Sequence, residues 1–278
     1  MPEILQYGFM QRALLAGVMI GTIAPMIGVF LVLRRLSLIA DALSHVALAG
    51  VAGGLLLGTY PLGGALVACL VGAVGIERLR ASGRLSSETA LAIVLSGGFA
   101  VAVVLISLAG GFNVDLFAYL FGAITAVQPR DLWTILALGV IVLGGVAVLY
   151  KELFALAFDE EGARLQGVPV AALNLLLTAF AAVTVVVAMR IVGILLTGAL
   201  IVIPAATALR LAGNFRSTLW IAVACSLISV LAGMVASFYL DIAAGGAIVL
   251  TALGLFGLST AARRRPRAPA GQSPPGSR

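Results

Sequence analysis

Apolar residues in this chain neither alternate nor recur on one helical face; they come in long runs. Windows of about 19 residues, cut at charges and at Gly/Pro turns, leave apolar stretches over 13–33, 37–57, 61–77, 88–109, 131–150, 170–189, 192–210, 217–238 and 244–260. Each falls within the roughly 17–25 residues that a membrane-spanning α-helix uses. In lipid a backbone can satisfy its N–H and C=O groups only in a helix or a closed barrel, and the ten-residue alternation of a barrel is missing. The pattern predicts an all-α, polytopic membrane helical bundle of about nine transmembrane helices, with eight to ten compatible with it. The stretch 112–127 (FNVDLFAYLFGAITAV) is apolar enough to enter a membrane, but Asn113, Asp115 and its glycine make it a poor span.

Positive charge sets the parity. If 112–127 does not cross, then Arg34, Arg35, Arg78, Arg80, Arg84, Lys151, Arg164, Arg210 and Arg216 share one side and only Arg12, Arg130 and Arg190 the other. The larger set belongs in the cytoplasm. This places the N-terminus outside, the C-terminus inside, and 112–127 as a re-entrant or interfacial piece on the outer side. The first run is too long for a cleaved signal, follows Glu3 rather than a basic start, and ends at Arg34-Arg35. Residues 1–260 therefore read as one membrane domain with a polar cytoplasmic loop at 151–169. Residues 261–278 (AARRRPRAPAGQSPPGSR) have nothing to bury and read as a disordered basic cytoplasmic tail.

Composition agrees: 62% of the 278 residues are hydrophobic and 10% charged, far too little polar surface to wrap one core in water. The formal charge of +6 includes Arg263, Arg264, Arg265, Arg267 and Arg278 of the tail. The body is close to neutral, which argues against a nucleic acid partner. Cys69 and Cys225 lie within apolar runs and read as small buried hydrophobes. The single lysine, Lys151, follows Tyr150, so no P-loop exists; a single histidine excludes HExxH, and no GxSxG elbow occurs. No catalytic residue is assigned, and any ATP hydrolysis has to come from another chain.

Ionisable groups within spans are costly, about 2.5–3.5 kcal/mol at the centre of a helix on insertion scales, and so point to function. Ser37, Asp41 and His45 recur every four residues and share one face of the second span. A rise of 1.5 Å per residue from Arg35 puts Asp41 roughly 9 Å and His45 roughly 15 Å into the core. One carboxylate and one imidazole a turn apart suit a divalent cation of the zinc or manganese sort. They also suit hydrogen bonding between helices, or a proton relay. Glu88, at the start of the fourth span, reads as a helix-start anion; Asp115 and Asp241 read as solvated. Pro204 removes a backbone donor within 192–210 and is expected to break or kink that span. Gly193, Gly198, Gly245 and Gly246 read as close-approach positions.

In the loop, Glu161-Gly162-Ala163-Arg164-Leu165-Gln166-Gly167 looks like the EAAxxxG coupling loop of importer permeases of the ATP-binding-cassette class, with Gly162 in place of the first Ala. Such a loop is a short helix with small residues on one face and a glycine stop. The run 30–53, FLVLRRLSLIADALSHVALAGVAG, closely resembles the second-helix signature of the zinc/manganese permeases of these importers. DLFAYLFGAITAV at 115–127, FDEEGARLQGVPV at 158–170 and VGILLTGALIVIPAATA at 192–208 agree in order and spacing.

The resemblance implies a homodimeric permease in a bacterial or archaeal cell (inner) membrane. It would receive a divalent metal, Zn²⁺ or Mn²⁺, from an extracytoplasmic metal-binding protein and hold no cofactor permanently. Cytoplasmic ATP-binding subunits would dock on the loop through Glu161, Gly162, Ala163 and Gly167. Asp41 and His45, with Ser37 as an accessory, would form the metal site. Leu48-Ala49-Gly50 after the histidine resembles the zinc members more than the Leu-Pro-Gly of manganese members. Asp241-Ile242-Ala243-Ala244-Gly245 departs from the family's Asp-Leu-Pro-Ser-Gly. The rival readings are a proton-coupled secondary metal carrier with Asp41 and His45 as relay, an intramembrane metalloenzyme using His45, and a non-catalytic scaffold.

Overall fold

The computed structural model describes residues 6–111 and 114–263. Among them nine helices are long and apolar enough to cross a membrane. They are α1 (Gly8–Leu33), α2 (Leu38–Leu56), α3 (Pro61–Ala81), α4 (Ser87–Leu108), α6 (Pro129–Val148), α9 (Val170–Val192), α10 (Ile194–Leu211), α11 (Phe215–Leu240) and α12 (Ala244–Arg263). Three short α-helices, α5 (Val114–Phe121), α7 (Tyr150–Phe158) and α8 (Glu160–Leu165), and a 3₁₀ turn at Ile124–Ala126 complete the fold. The all-α bundle read from the apolar runs is the one that forms. The tail beyond Arg263 lies outside the described residues.

Length decides the fate of 112–127. Its helix α5 has eight residues, about 12 Å at 1.5 Å per residue, less than half a bilayer core, so this segment is too short to cross. Leu116, Tyr119 and Leu120 are buried against the bundle, whereas Phe117 and Phe121 stack on each other at 6.2 Å on the exposed side.

Burial separates an inner group from an outer one. Two thirds of the most apolar window of α1 and of α9 is inside the protein, against 17% for α4. The outer face of α4 presents Ile93, Phe99, Val101 and Val104, as expected of a helix whose solvent on one side is lipid. Small residues let α2 approach its neighbours: a side chain at Gly50 would strike the α3 backbone at Gly64 and Ala65.

Three expectations need correction. Arg12 and Arg190 are not loop charges. Helix α1 begins before Arg12, whose Nε donates to the Val127 carbonyl at 3.1 Å, and α9 runs through a buried Arg190. Pro204 does not break its helix, since α10 is continuous from Ile194 to Leu211 with Pro204 buried inside it. The break in the 170–211 run falls instead at Gly193, whose φ of +86° is a conformation that L side chains rarely adopt. Gly246, unlike Gly193, Gly198 and Gly245, meets nothing within 4 Å and is not a close-approach position.

Candidate metal site and coupling elements

Ser37 stands at the N-cap of α2 with helical backbone angles and gives no side-chain cap bond. Asp41 and His45 follow on the same face. The midpoint of the 19-residue helix lies near residue 47, so His45 is about 3 Å and Asp41 about 9 Å from it along the axis. Both side chains are half-buried. Asp41 lies against α10 where that helix has Gly198: a Cβ there would collide with Asp41 Oδ1. The His45 ring meets Phe99 of α4 edge-on at 5.2 Å. Its Nδ1 is buried without a hydrogen-bond partner, an unmet polar atom that costs free energy unless something binds it. Among the described residues no group of three His, Cys, Asp or Glu side chains is placed to hold a metal. A metal ion held by Asp41 and His45 would need further donors from carbonyls, water or another chain.

The end of the bundle that carries Arg34, Glu77 and Glu160 is called here the near end. Chain direction reverses there between α1 and α2 through Arg35 at φ +57°. Arg34, largely buried, pairs with Glu160 of α8 and donates to Asn174 Oδ1 of α9. Burial lowers the Arg34 pKa, and Glu160 opposes that effect. Helix α8 is capped by Asp159, whose carboxylate accepts from the Gly162 N–H at 2.9 Å, and is closed by Gly167 at φ +81°. Ala163 is its buried contact, while Glu161 and Leu165 are exposed. The spacing of Glu161, Gly162, Ala163 and Gly167 therefore does form a short helix with a glycine stop. A second connection is aromatic: Phe215 of α11 packs on Phe154 (5.0 Å), Tyr150 (5.8 Å) and Phe158 (5.9 Å) of α7 and on Phe30 of α1 (5.4 Å).

The far end holds a cluster that sequence reasoning missed. Asp131, with no exposed surface, accepts from Arg190 Nε at 2.8 Å, from the Tyr60 hydroxyl at 2.7 Å and from the Gln128 N–H at 3.0 Å. Arg190 lies 4.6 Å from the centre of the Tyr119 ring of α5, and Arg130 lies 4.1 Å from that of Tyr60. Burial and then the bond to Asp131 push the Tyr60 hydroxyl up to about 12, so it remains a donor at any physiological pH. One charge pair therefore ties α3, α5, α6 and α9 together. The available signal was Arg190 itself, a lone cation between Met189 and Ile191 in an apolar run.

The model of the ABC 3 transport family matches residues 6–263. The chain belongs to that family. Similar proteins of comparable length include a "probable metal transport system membrane protein" of Treponema pallidum, 40% identical over 90% of this chain and 94% of its own. The manganese transport system membrane protein MntC of Halalkalibacterium halodurans is 35% identical, covering 92% and 88%. The high-affinity zinc uptake system membrane protein ZnuB of Haemophilus influenzae is 33% identical, covering 91% and 97%. Among solved structures, PsaBC from Streptococcus pneumoniae in complex with Fab contains a chain that superposes with a TM-score of 0.83 at 34% identity, covering 92% of each.

Proposed function

We propose that this chain is the membrane-spanning permease of an ATP-driven importer of divalent metal, and that Asp41 and His45 are the ligands that hold the ion in passage. The observation that carries the reading is the unpartnered, buried Nδ1 of His45 one turn from Asp41, inside a bundle of the ABC 3 transport family. A two-donor site fits transport because an ion has to leave again; a closed four-ligand cage would keep it. Zinc is the favoured cargo on Leu48-Ala49-Gly50, with manganese open to the same nitrogen and oxygen donors. Ser37, one turn toward the near end, is an accessory on the ion's way out.

The near end faces the cytoplasm in this proposal, following its arginines, which leaves the N-terminus outside and the C-terminus inside a bacterial or archaeal cell membrane. Helix α8 receives the ATP-binding subunit on its exposed side, Glu161 and Leu165, while Ala163 and the Glu160–Arg34 pair fix it to the bundle. Movement of α8 reaches α1 and α2 through Arg34, and α1 and α11 through Phe215. A homodimer fed by an extracytoplasmic metal-binding protein completes the assembly.

The test of this reading is energy coupling. Uptake of radioactive zinc or manganese by cells expressing the system is expected to cease when ATP hydrolysis by the partner subunit is blocked, and to continue when the proton gradient is collapsed at constant ATP. Uptake that follows the proton gradient and ignores the ATPase would assign Asp41 and His45 to a proton-coupled carrier. Geometry gives a separate prediction. Gly198→Ala forces the Asp41 carboxylate off α10 and is expected to lower uptake about tenfold, the smaller loss seen when the support of a metal ligand is disturbed; wild-type uptake would show that Asp41 need not be held there.

A further inference from the structure

Between α8 and the near ends of α3 and α9 lies a cleft of about 590 Å³, whose exposed arginines have no part in the roles above. Arg78, Arg80 and Arg164 line it, together with Glu77, Glu160 and Asn174, and Arg34 stands directly behind Glu160. Four arginines thus meet two glutamates. Glu77 is taken up by Arg80 at 2.6 Å and by the Thr178 hydroxyl at 2.6 Å, and Glu160 by Arg34. Arg164 reaches Glu160 only at 3.6 Å and is 70% exposed, while Arg78 is exposed and forms no ion pair among the described residues. Asn174 accepts from Arg34 through Oδ1, which leaves its NH₂ group to donate. The cleft therefore carries surplus positive charge and free donors, the chemistry that binds phosphate.

The rest of the cleft says what kind of phosphate. Val67, Val71, Val74 and Arg78 follow one another at intervals of four, three and four residues, so they form a single stripe along α3. Val67 and Val71 are 65% and 68% exposed on the bundle surface, and Val74 with Leu175 of α9 forms the apolar wall of the cleft itself. An apolar track along a membrane helix that ends in arginines at the headgroup level matches an amphipathic anion. We infer that this cleft binds the phosphate of an acidic phospholipid, with an acyl chain lying along the α3 stripe. Basic pockets between membrane helices recognise acidic lipids by this same combination of charge and apolar contact.

The experiment uses the full chain purified in neutral detergent, with its thermal midpoint measured after addition of dioleoylphosphatidylglycerol, dioleoylphosphatidylcholine or inorganic phosphate. Phosphatidylglycerol is expected to raise the midpoint by about 3 °C or more beyond phosphatidylcholine. Arg78→Gln/Arg164→Gln removes two exposed side chains, so it is expected to fold normally and to lose that difference. Arg84→Gln/Lys151→Gln removes two other exposed cations and is expected to keep it. The inference is overturned if the two lipids act alike on the wild type, if the Arg78/Arg164 variant keeps the difference, or if inorganic phosphate alone reproduces it. It is also overturned if that variant keeps the lipid effect and instead loses co-purification with the ATP-binding subunit, since the arginines then serve the motor.

Discussion

Arg190→Met is expected to destabilise the folded bundle by about 3–5 kcal/mol and to lower its thermal midpoint in detergent by roughly 10 °C. The cause is the charge left behind. Asp131 has no exposed surface and Arg190 is its only cationic partner within ion-pair distance among the described residues. Tyr60 and the Gln128 N–H would still donate to the carboxylate, but two neutral donors do not offset a buried charge. Removing both members should hurt less than removing one, because no uncompensated ion remains. Asp131→Leu/Arg190→Met is therefore expected to recover most of the loss, and Arg190→Lys, which keeps the charge but not the fork or the stacking on Tyr119, to fall between. Thermal unfolding of the four purified proteins checks this. A single Arg190→Met variant as stable as the wild type would mean that the pair does not hold α3, α5, α6 and α9 together.

The nine spans were legible because lipid is the solvent: every segment that crosses must be apolar over its whole length, so crossing segments read as runs. Their ends were less legible. Windows stop at a charge, yet Arg12 and Arg190 continue their helices because each finds a partner distant in sequence, the Val127 carbonyl and Asp131. The break expected at Pro204 falls at Gly193 for a related reason. A proline inside a packed membrane helix is surrounded by other helices and can be carried along, whereas one positive φ at Gly193 is enough to end α9 and start α10. For the candidate site, the four-residue spacing of Ser37, Asp41 and His45 already placed the polar face of α2. The neighbours of that face, Gly198 and Phe99, depend on how α10 and α4 pack and could not be read from spacing. The Arg34–Glu160 pair joins residues 126 positions apart, beyond any local pattern.

The second large effect concerns transport itself. Asp41 and His45 are the only ionisable pair within a span on one face of α2, and no third His, Cys, Asp or Glu joins them among the described residues. A site with so few protein donors loses a large share of its affinity when either is removed; disturbing even the groups that support metal ligands costs about 10–100-fold, so loss of a ligand is expected to reach at least the upper part of that range. Asp41→Asn keeps the shape of the side chain and removes its charge, and His45→Ala removes the unmet Nδ1 together with the ring's contact to Phe99 of α4. Neither change disturbs the near-end contacts of α8, so assembly with the ATP-binding subunit is expected to persist. The direct measurement is uptake of radioactive zinc and manganese through the assembled transporter carrying Asp41→Asn or His45→Ala, at expression equal to the wild type. The account predicts uptake of both metals reduced about 100-fold with the complex intact, and uptake at the wild-type rate in either variant would contradict it.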